Sequence, residues 1–177
     1  MNETIALLTR TPATLNALLR GLPDTWTRRN EGPDTWSAYH VIGHLALAER
    51  NDWMPRVHHI LAHGDSQPFP PFNRFTQMTE PQSKSLDQLL DEFASLRSES
   101  LTSLQALNLQ PNDLARPGKH PSLGAVNLSQ LLSTWAVHDL THLHQITRIL
   151  AHQYREAVGP WNKFLGVLQC SGHSAPA

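Results

Sequence analysis

Histidine is the residue type in this sequence whose number and spacing most clearly suggest chemistry. The chain of 177 residues contains eleven histidines, and histidine acts chiefly as a metal ligand, a proton shuttle or a group that titrates near neutral pH. Three pairs are separated by four positions: His40 and His44, His59 and His63, and His138 and His142. On a helix this spacing places both rings on one face, where two nitrogens can bind the same ion. Because the spacing occurs three times, the direction in which each ring points is needed to decide which pair can bind a metal.

Successive residues of a helix are rotated by about 100° around its axis. Placed in this way on the predicted helices, His44, His138 and His142 are the histidines that can face one another. His138 and His142 lie at the edge of the apolar arc of the last long helix, whereas His144 falls on the opposite side. That arc is formed by Leu128, Leu131, Leu132, Trp135, Leu143, Ile146, Ile149 and Leu150. On the second helix His44 lies beside the inward side and His40 lies further toward solvent. His44 can therefore face the pair on the last helix.

Three neutral imidazoles suit zinc, nickel, copper or ferrous iron better than magnesium or calcium, which prefer oxygen ligands. With three protein ligands, a further coordination position stays open for water or substrate, as in catalytic zinc sites. The alternative is that these residues are core histidines hydrogen-bonded to carbonyls or carboxylates. The residue pattern by itself leaves both interpretations open.

Three carboxylates are predicted to point inward: Glu49 and Asp52 on the second helix, and Asp139 on the last. A buried carboxylate is unfavourable unless it is paired or hydrogen-bonded, so each needs a partner. One interpretation is that they form ion pairs or hydrogen bonds that fix the helix register. The other is that they orient a ligand histidine through its second nitrogen.

Four segments with helical periodicity predict an all-α protein, a four-helix bundle, since no alternating run of β-branched residues indicates a strand. They cover about residues 3–19, 37–63, 85–107 and 127–154, and Pro55 should kink the second helix or end its first part. Two long loops, 64–84 and 108–126, connect them, and a short amphipathic helix at 161–168 should pack back on the bundle. We expect one domain over residues 1–170 and a disordered tail at 171–177.

Composition narrows the classes of partner. Lys and Arg total 14 against 15 Asp and Glu, a net charge of -1, so no basic surface favours nucleic acid. No apolar run approaches the roughly 18 residues of a membrane span, and the first residues lack the charge order of a secretory signal. Cys170 is the single cysteine, which suits a reducing compartment. We expect a cytoplasmic protein that acts on a small molecule.

Two histidine-bearing stretches, TWSAYHVIGHLALAER and VHDLTHLHQI, together with the closing YREAVGPWNKFLGVL, resemble the DinB-like proteins. This family includes the bacillithiol S-transferases and resembles the mycothiol-dependent isomerases, and the likeness covers residues 11–168. The resemblance implies a four-helix bundle with a three-histidine metal site, often zinc or nickel, and frequently a homodimer. His44, His138 and His142 match the family's ligand positions.

Several functions are consistent with such a site. The leading hypothesis is a metal-dependent enzyme, a thiol S-transferase that activates a low-molecular-weight thiol for attack on an electrophile. A second is a hydrolase in which Glu49, Asp52 or Asp139 serves as general base. A third, from a different class, is a stress protein that binds metal or a small ligand without turnover.

Overall fold

The computed structural model describes residues 1–73, 76 and 83–170, and over these residues the protein is mostly helical. The elements in chain order are α1 (Asn2–Leu19), α2 (Asp24–Thr27), α3 (Ala38–Asn51), α4 (Trp53–His63), α5 (Leu86–Ala106), α6 (Pro111–Leu114), β1 (Pro117–His120), β2 (Gly124–Asn127), α7 (Leu128–His152), a 3-10 helix (Gly159–Phe164) and α8 (Gly166–Gln169). The long helices α1, α3 with α4, α5 and α7 form a four-helix bundle. The prediction of an all-α bundle is confirmed.

Side-chain caps define where three of the long helices begin. Ser37 and Ser85 accept hydrogen bonds from the backbone of the third residue of α3 and α5, and Asn127 does the same for α7. The side chains of His40, Gln88 and Gln130 complete these capping boxes by accepting from the cap residues' own backbone N–H groups. Such caps satisfy N–H groups that have no partner within the helix, which explains why the predicted starts are close to the observed ones.

Pro55 divides the second predicted helix into α3 and α4. Proline has no N–H to donate to the carbonyl four residues earlier, and its ring would collide with that carbonyl. The carbonyl in question belongs to Asn51, where α3 ends, and Asp52 leaves helical geometry with φ -119° and ψ -64°. The predicted effect of Pro55 is thus observed, and it allows α4 to take a different direction and pack beside β1 and α7.

The bundle core has two clusters of buried apolar side chains. The first cluster joins α4 to the first half of α7 and includes Trp53, Ile60 and Trp135, and the second joins α1, α3 and α5 to the second half of α7 and includes Ile42 and Ile146. Burying one such side chain contributes about 1.5–3 kcal/mol to folding. The two clusters therefore hold the two halves of α7 in the bundle.

The inward face of α1 is formed by Leu8, Leu15 and Leu19, which are fully buried, and Leu18 packs against the same core. Leu7, the residue before Leu8, is 46% exposed.

A two-stranded antiparallel hairpin corrects the expectation of a chain without strands. Its strands β1 and β2 pair from Pro117 with Asn127 to His120 with Gly124, and all but Asn127 lie inside the stretch predicted to be a loop. Each strand has only four residues and lacks the alternation that predicts strands. Gly118 lets the hairpin approach α4 closely, because a Cβ there would lie 2.8 Å from Cγ1 of Ile60.

The C-terminal segment only partly matches the predicted amphipathic helix. The 3-10 helix and α8 replace one continuous helix, and Leu168 is buried as expected. Trp161 and Phe164 are 71% and 84% exposed, so they do not pack into the bundle. The predicted tail at 171–177 and most of 74–82 lie outside the described residues. In the part of the chain that is described, no helix is both long and apolar enough to cross a membrane.

Candidate metal centre

The structure brings together the rings of His44, His138 and His142, which we call the histidine cluster. His44 lies two turns after the cap of α3, and the other two lie one turn apart in the middle of α7. Nε2 of His138 is 3.2 Å from Nε2 of His44 and 3.1 Å from Nε2 of His142. One ligand nitrogen from each of the three rings lies within 4.8 Å of the others. His44 and His142 are buried, and His138 is partly buried.

Hydrogen bonds among the three rings do not account for this convergence. A neutral imidazole nitrogen carries either one hydrogen or one lone pair, so it makes one good hydrogen bond. Nε2 of His138 nevertheless faces two other Nε2 atoms at hydrogen-bond distance. A shared cation removes the conflict, because all three lone pairs can then point at one centre.

The spacing also fits a transition metal. Two nitrogens that are each about 2.1 Å from one ion lie about 3.0 Å apart at a right angle and about 3.4 Å apart at the tetrahedral angle. The observed separations of 3.1 and 3.2 Å fall between these values. With imidazole as the only ligand type, the donor set suits zinc, nickel, copper or ferrous iron. The residues present therefore fit a divalent transition metal.

The surroundings of the cluster keep ring nitrogens available as ligands. Burial lowers the pKa of His138 well below its usual value, and the neighbouring His142, His44 and Arg97 lower it further. Nδ1 of His142 lies 2.8 Å from Oε1 of Gln145. Because an amide oxygen only accepts, Nδ1 carries the hydrogen and the lone pair of His142 is at Nε2, facing the cluster. Gln145 thus orients the ring of His142 through its second nitrogen, a role that the sequence suggested for a carboxylate.

Beneath the histidine cluster, Arg97 of α5 binds both Glu49 and Asp139, and we call these residues the arginine cluster. Nη2 of Arg97 is 2.7 Å from Oε1 of Glu49, Nη1 is 2.6 Å from Oδ2 of Asp139, and the three side chains are at most 2% exposed. Nη1 also donates to the carbonyl of Leu8, and Nε1 of Trp135 donates to Glu49. The ion-pair interpretation is confirmed for Glu49 and Asp139.

The charge of Arg97 is maintained despite its burial. Burial acts to lower the pKa of Arg97, but hydrogen bonds and the charge of Asp139, followed by those of Glu49, raise it above its usual value. Arg97 was not predicted as a site residue, although its position in the sequence indicates burial. Arg97 stands four residues after Phe93 and four before Leu101, on the apolar face of α5, where a cation needs buried carboxylates.

Asp52 belongs to neither cluster. Its Oδ1 lies 2.6 Å from Nε of Arg56, one turn later in the chain. Burial raises the pKa of Asp52 to about 6, against the opposing charge and hydrogen bond of Arg56. Of the three carboxylates proposed as general bases, Asp52 alone lies outside the arginine cluster.

The other two histidine pairs do not join the histidine cluster. Nδ1 of His40 contacts Oγ of its helix cap, Ser37, at 2.9 Å, while the ring centroids of His59 and His63 are 4.8 Å apart. Nε2 of His59 is 3.1 Å from the carbonyl of Gln67. Within the described ranges, no other group of three or more His, Cys, Asp or Glu side chains is arranged to hold a metal.

Three aromatic rings surround the histidine cluster. Trp36 lies 4.9 Å from the ring of His44 between centroids, and Phe72 lies 6.2 Å from it. The edge of Trp53 meets His138 at 5.0 Å, and Trp53 stacks in turn on Trp135. The sequence could not predict which tryptophans face the histidine cluster, because nothing in the neighbouring residues shows which ring faces a ligand.

The chain belongs to the DinB superfamily, whose family model matches residues 7–146. The fold is similar to a solved structure described as "YfiT from Bacillus subtilis is a probable metal-dependent hydrolase with an unusual four-helix bundle topology". That match has a TM-score of 0.74 at 18% sequence identity and covers 89% of this chain and 87% of the other. No curated protein matches the chain. The family resemblance seen in the sequence is confirmed, and the structural likeness supports the four-helix topology.

Proposed function

We propose that this protein is a metal-dependent enzyme that holds one divalent transition metal through His44, His138 and His142 and acts on a small molecule. The observation that carries the proposal is the position of Nε2 of His138, 3.1 and 3.2 Å from the Nε2 atoms of the other two histidines. Zinc and nickel are the metals we favour, because the family resemblance points to them and three imidazole donors suit both.

Each part of the site has a distinct task in this proposal. When bound, the metal supplies Lewis-acid chemistry and lowers the pKa of a nucleophile that it binds. Gln145 fixes the tautomer of His142, and burial keeps His138 unprotonated. The arginine cluster joins α3, α5 and α7, which sets the distance between His44 and the pair on α7.

The leading reaction is transfer to a thiol. The thiol releases its proton to solvent water, its sulfur forms a bond to an electrophilic carbon, and the leaving group departs with the electrons of the broken bond. This reaction needs no carboxylate base from the protein, and Glu49 and Asp139 are already held by Arg97. The resemblance to the bacillithiol S-transferases gives independent support for a low-molecular-weight thiol.

Hydrolysis is the second candidate, because the structurally similar YfiT is described as a probable metal-dependent hydrolase. A hydrolase commonly uses a general base with a pKa near the working pH. Asp52 is the carboxylate we would test, since Arg97 does not bind it and its pKa is raised to about 6. Unchanged hydrolysis by an Asp52→Asn variant that retains metal would remove Asp52 from the reaction.

Elemental analysis of untagged protein tests the common element of these proposals. We expect about one metal ion per chain in the parent, and none in a folded His138→Ala/His142→Ala variant. The variant His59→Ala/His63→Ala is the matched control, since its two histidines have the same spacing and lie outside the histidine cluster. It should retain the metal. Absence of metal from the parent, even after reconstitution, would contradict the proposal.

A substrate screen on the metal-loaded protein then separates the reactions. Product formation that requires a thiol supports transfer, and product formation without one supports hydrolysis. Tight binding of small ligands with no product from either series would instead support the stress-protein alternative.

We also propose that the protein forms a homodimer through the outer face of α7. The exposed residues of this helix carry no formal charge: Ser129, Gln130, Ser133, Thr134, Val137, Leu140, His144 and Thr147. The two acidic or basic residues in its sequence, Asp139 and Arg148, are both buried. A helix of 25 residues extends about 37 Å at 1.5 Å per residue, which is long enough for a dimer interface. Depletion of charge is typical of interface centres.

A further inference from the structure

We propose that Trp36 and Phe72 form an apolar wall at the mouth of the histidine cluster, so that its ligands carry an aromatic or aliphatic group beside the atoms that bind the metal. This inference rests on the proposed function, because it needs an open metal position. It goes beyond that function by naming the chemical class of the substrate and the residues that select it.

The rings of Trp36 and Phe72 both lie beside the histidine cluster. The Trp36 ring lies 4.9 Å from His44 and nearly parallel to His142, at 6.3 Å and 12°. Phe72 approaches His44 at 6.2 Å. Both side chains are partly exposed, whereas Trp53, which contacts His138, is only 3% exposed. A ligand that enters from solvent therefore meets Trp36 and Phe72, while Trp53 closes the site from inside.

The two residues of the wall pack against different core clusters. Trp36 packs against the core cluster formed by α1, α3, α5 and the second half of α7. Phe72 packs against the other core cluster, which joins α4 to the first half of α7. The histidine cluster lies where the two cores meet, so an apolar group placed there touches hydrophobic side chains from both. Such contact removes apolar surface from water, which favours binding.

Hydrogen bonds hold the segment before Trp36 in place without a ligand. Nε of Arg148 donates to both carboxylate oxygens of Glu31, at 3.0 and 2.8 Å, and thereby attaches the segment before Trp36 to α7. The hydroxyl of Thr35 accepts from the N–H of Glu31 and donates to the carbonyl of Gly32. Ser37 then begins α3. A wall held in this way needs little ordering on binding, which strengthens affinity and selectivity.

The test compares two ligands that share one metal-binding group, acetohydroxamate and benzohydroxamate. Their affinities for the zinc-loaded protein are measured by titration calorimetry, with the metal-free protein as baseline. We expect benzohydroxamate to bind the parent at least about tenfold more tightly, because the phenyl ring contacts the wall.

Trp36→Ala, loaded with zinc to the same extent as the parent, should lower this ratio at least about fivefold, because benzohydroxamate loses more affinity than acetohydroxamate. Trp161→Ala is the matched control, since Trp161 is 71% exposed in the 3-10 helix, and it should keep the parent ratio. Should Trp36→Ala fail to fold by circular dichroism, Trp36→Gln and Phe72→Ala provide the same comparison, and both should lower the ratio.

Several results would overturn the inference. Equal affinities of the parent for both hydroxamates would exclude an apolar wall, yet leave the proposed metal function intact. An equal loss of both affinities in the Trp36 and Phe72 variants would assign these residues a merely structural role. If neither hydroxamate binds to protein that contains zinc, no coordination position is open, and the proposed function fails together with the inference.

Discussion

Arg97 shows how one buried cation makes two buried carboxylates tolerable. Its guanidinium group bonds to Glu49, Asp139 and the Leu8 carbonyl, so most of its N–H donors are matched inside the bundle. A buried ion pair adds little stability relative to an apolar core, but removing one partner leaves uncompensated charge in a region of low polarity. The contribution of Arg97 should therefore appear most clearly when it is removed alone.

We predict that Arg97→Met lowers the free energy of unfolding at neutral pH by about 3–5 kcal/mol. Arg50→Met is the matched control, because Arg50 pairs with Glu92 and its side chain is 40% exposed. The control should lose at most about 1 kcal/mol. Urea denaturation followed by circular dichroism measures both changes. Similar losses of unfolding free energy in the two variants would show that the buried ion pairs of Arg97 stabilise the protein no more than an exposed ion pair does.

Asp52 predicts a pH dependence with a definite sign. Its pKa is about 6 in the folded protein, above the reference value of 3.8, so the folded state binds the proton more tightly. The stability that Asp52 contributes is therefore complete below about pH 3.8 and is lost as the pH rises through 6.

We predict that the free energy of unfolding of Asp52→Asn, relative to that of the parent, rises by about 2–3 kcal/mol between pH 4 and pH 7. The substitution keeps the shape of the side chain and removes its ionisation. Asp91→Asn, at a surface carboxylate that pairs with Arg20 and is 70% exposed, should follow the parent across this range. Urea titrations at several pH values test this, and a constant difference between Asp52→Asn and parent would show that the carboxyl is not perturbed.

At the scale of secondary structure, the cap of α3 links helix stability to the site. Ser37 is fully buried and caps the helix that carries His44. Its counterpart Ser85 caps α5, which carries none of the three histidines. Both serines accept a hydrogen bond from the backbone N–H three residues later, so the pair separates the effect of this cap bond from the effect on the histidine cluster.

We predict that Ser37→Ala and Ser85→Ala each lower the free energy of unfolding by about 1 kcal/mol. Only Ser37→Ala should also weaken metal affinity, because fraying of the first turn of α3 lets His44 move relative to α7. Thermal denaturation and competition with a zinc-sensitive dye give the two quantities. Equal metal affinity in the two variants would show that the position of His44 does not depend on this cap.

The same elements show how far the sequence could predict the fold. Ser37, Ser85 and Asn127 gave accurate helix starts because capping is a bond between residues three positions apart. The β1–β2 hairpin was missed because its stability comes from outside it, through Gly118 against Ile60 and the N–H of Phe69 bonded to the carbonyl of Lys119. The pattern of neighbouring residues in the sequence does not reveal such contacts.

A similar limit applies to the site. The three histidines could be selected because each lies on a predictable helix face, and their family motifs agreed. The ion pairs that surround the site could not be predicted, since they join residues distant in sequence. Arg97 and Asp139 are 42 positions apart, and Glu31 and Arg148 are 117 apart. A sequence shows that a buried charge needs a partner, but the fold decides which residue it is.

For the whole molecule, the uncharged outer face of α7 carries the prediction of a dimer. Equilibrium ultracentrifugation of the parent should give twice the chain mass. Val137→Glu/Leu140→Glu should give the monomer, because the substituted residues are 60% and 47% exposed and paired acidic groups would face their copies across the interface. Leu7→Glu, at a 46% exposed leucine of α1, should remain dimeric. A monomeric parent would refute the proposal.

The buried charges of α7 also have a consequence for the order of events on the ribosome. The nascent chain completes α1, α3 and α5 before Asp139 and Trp135 have been synthesised, so Arg97 and Glu49 are then without two of their native partners. Both core clusters likewise lack their α7 side chains. The first three long helices therefore emerge as an incomplete core, and the bundle can close only when α7 leaves the exit tunnel and docks between them.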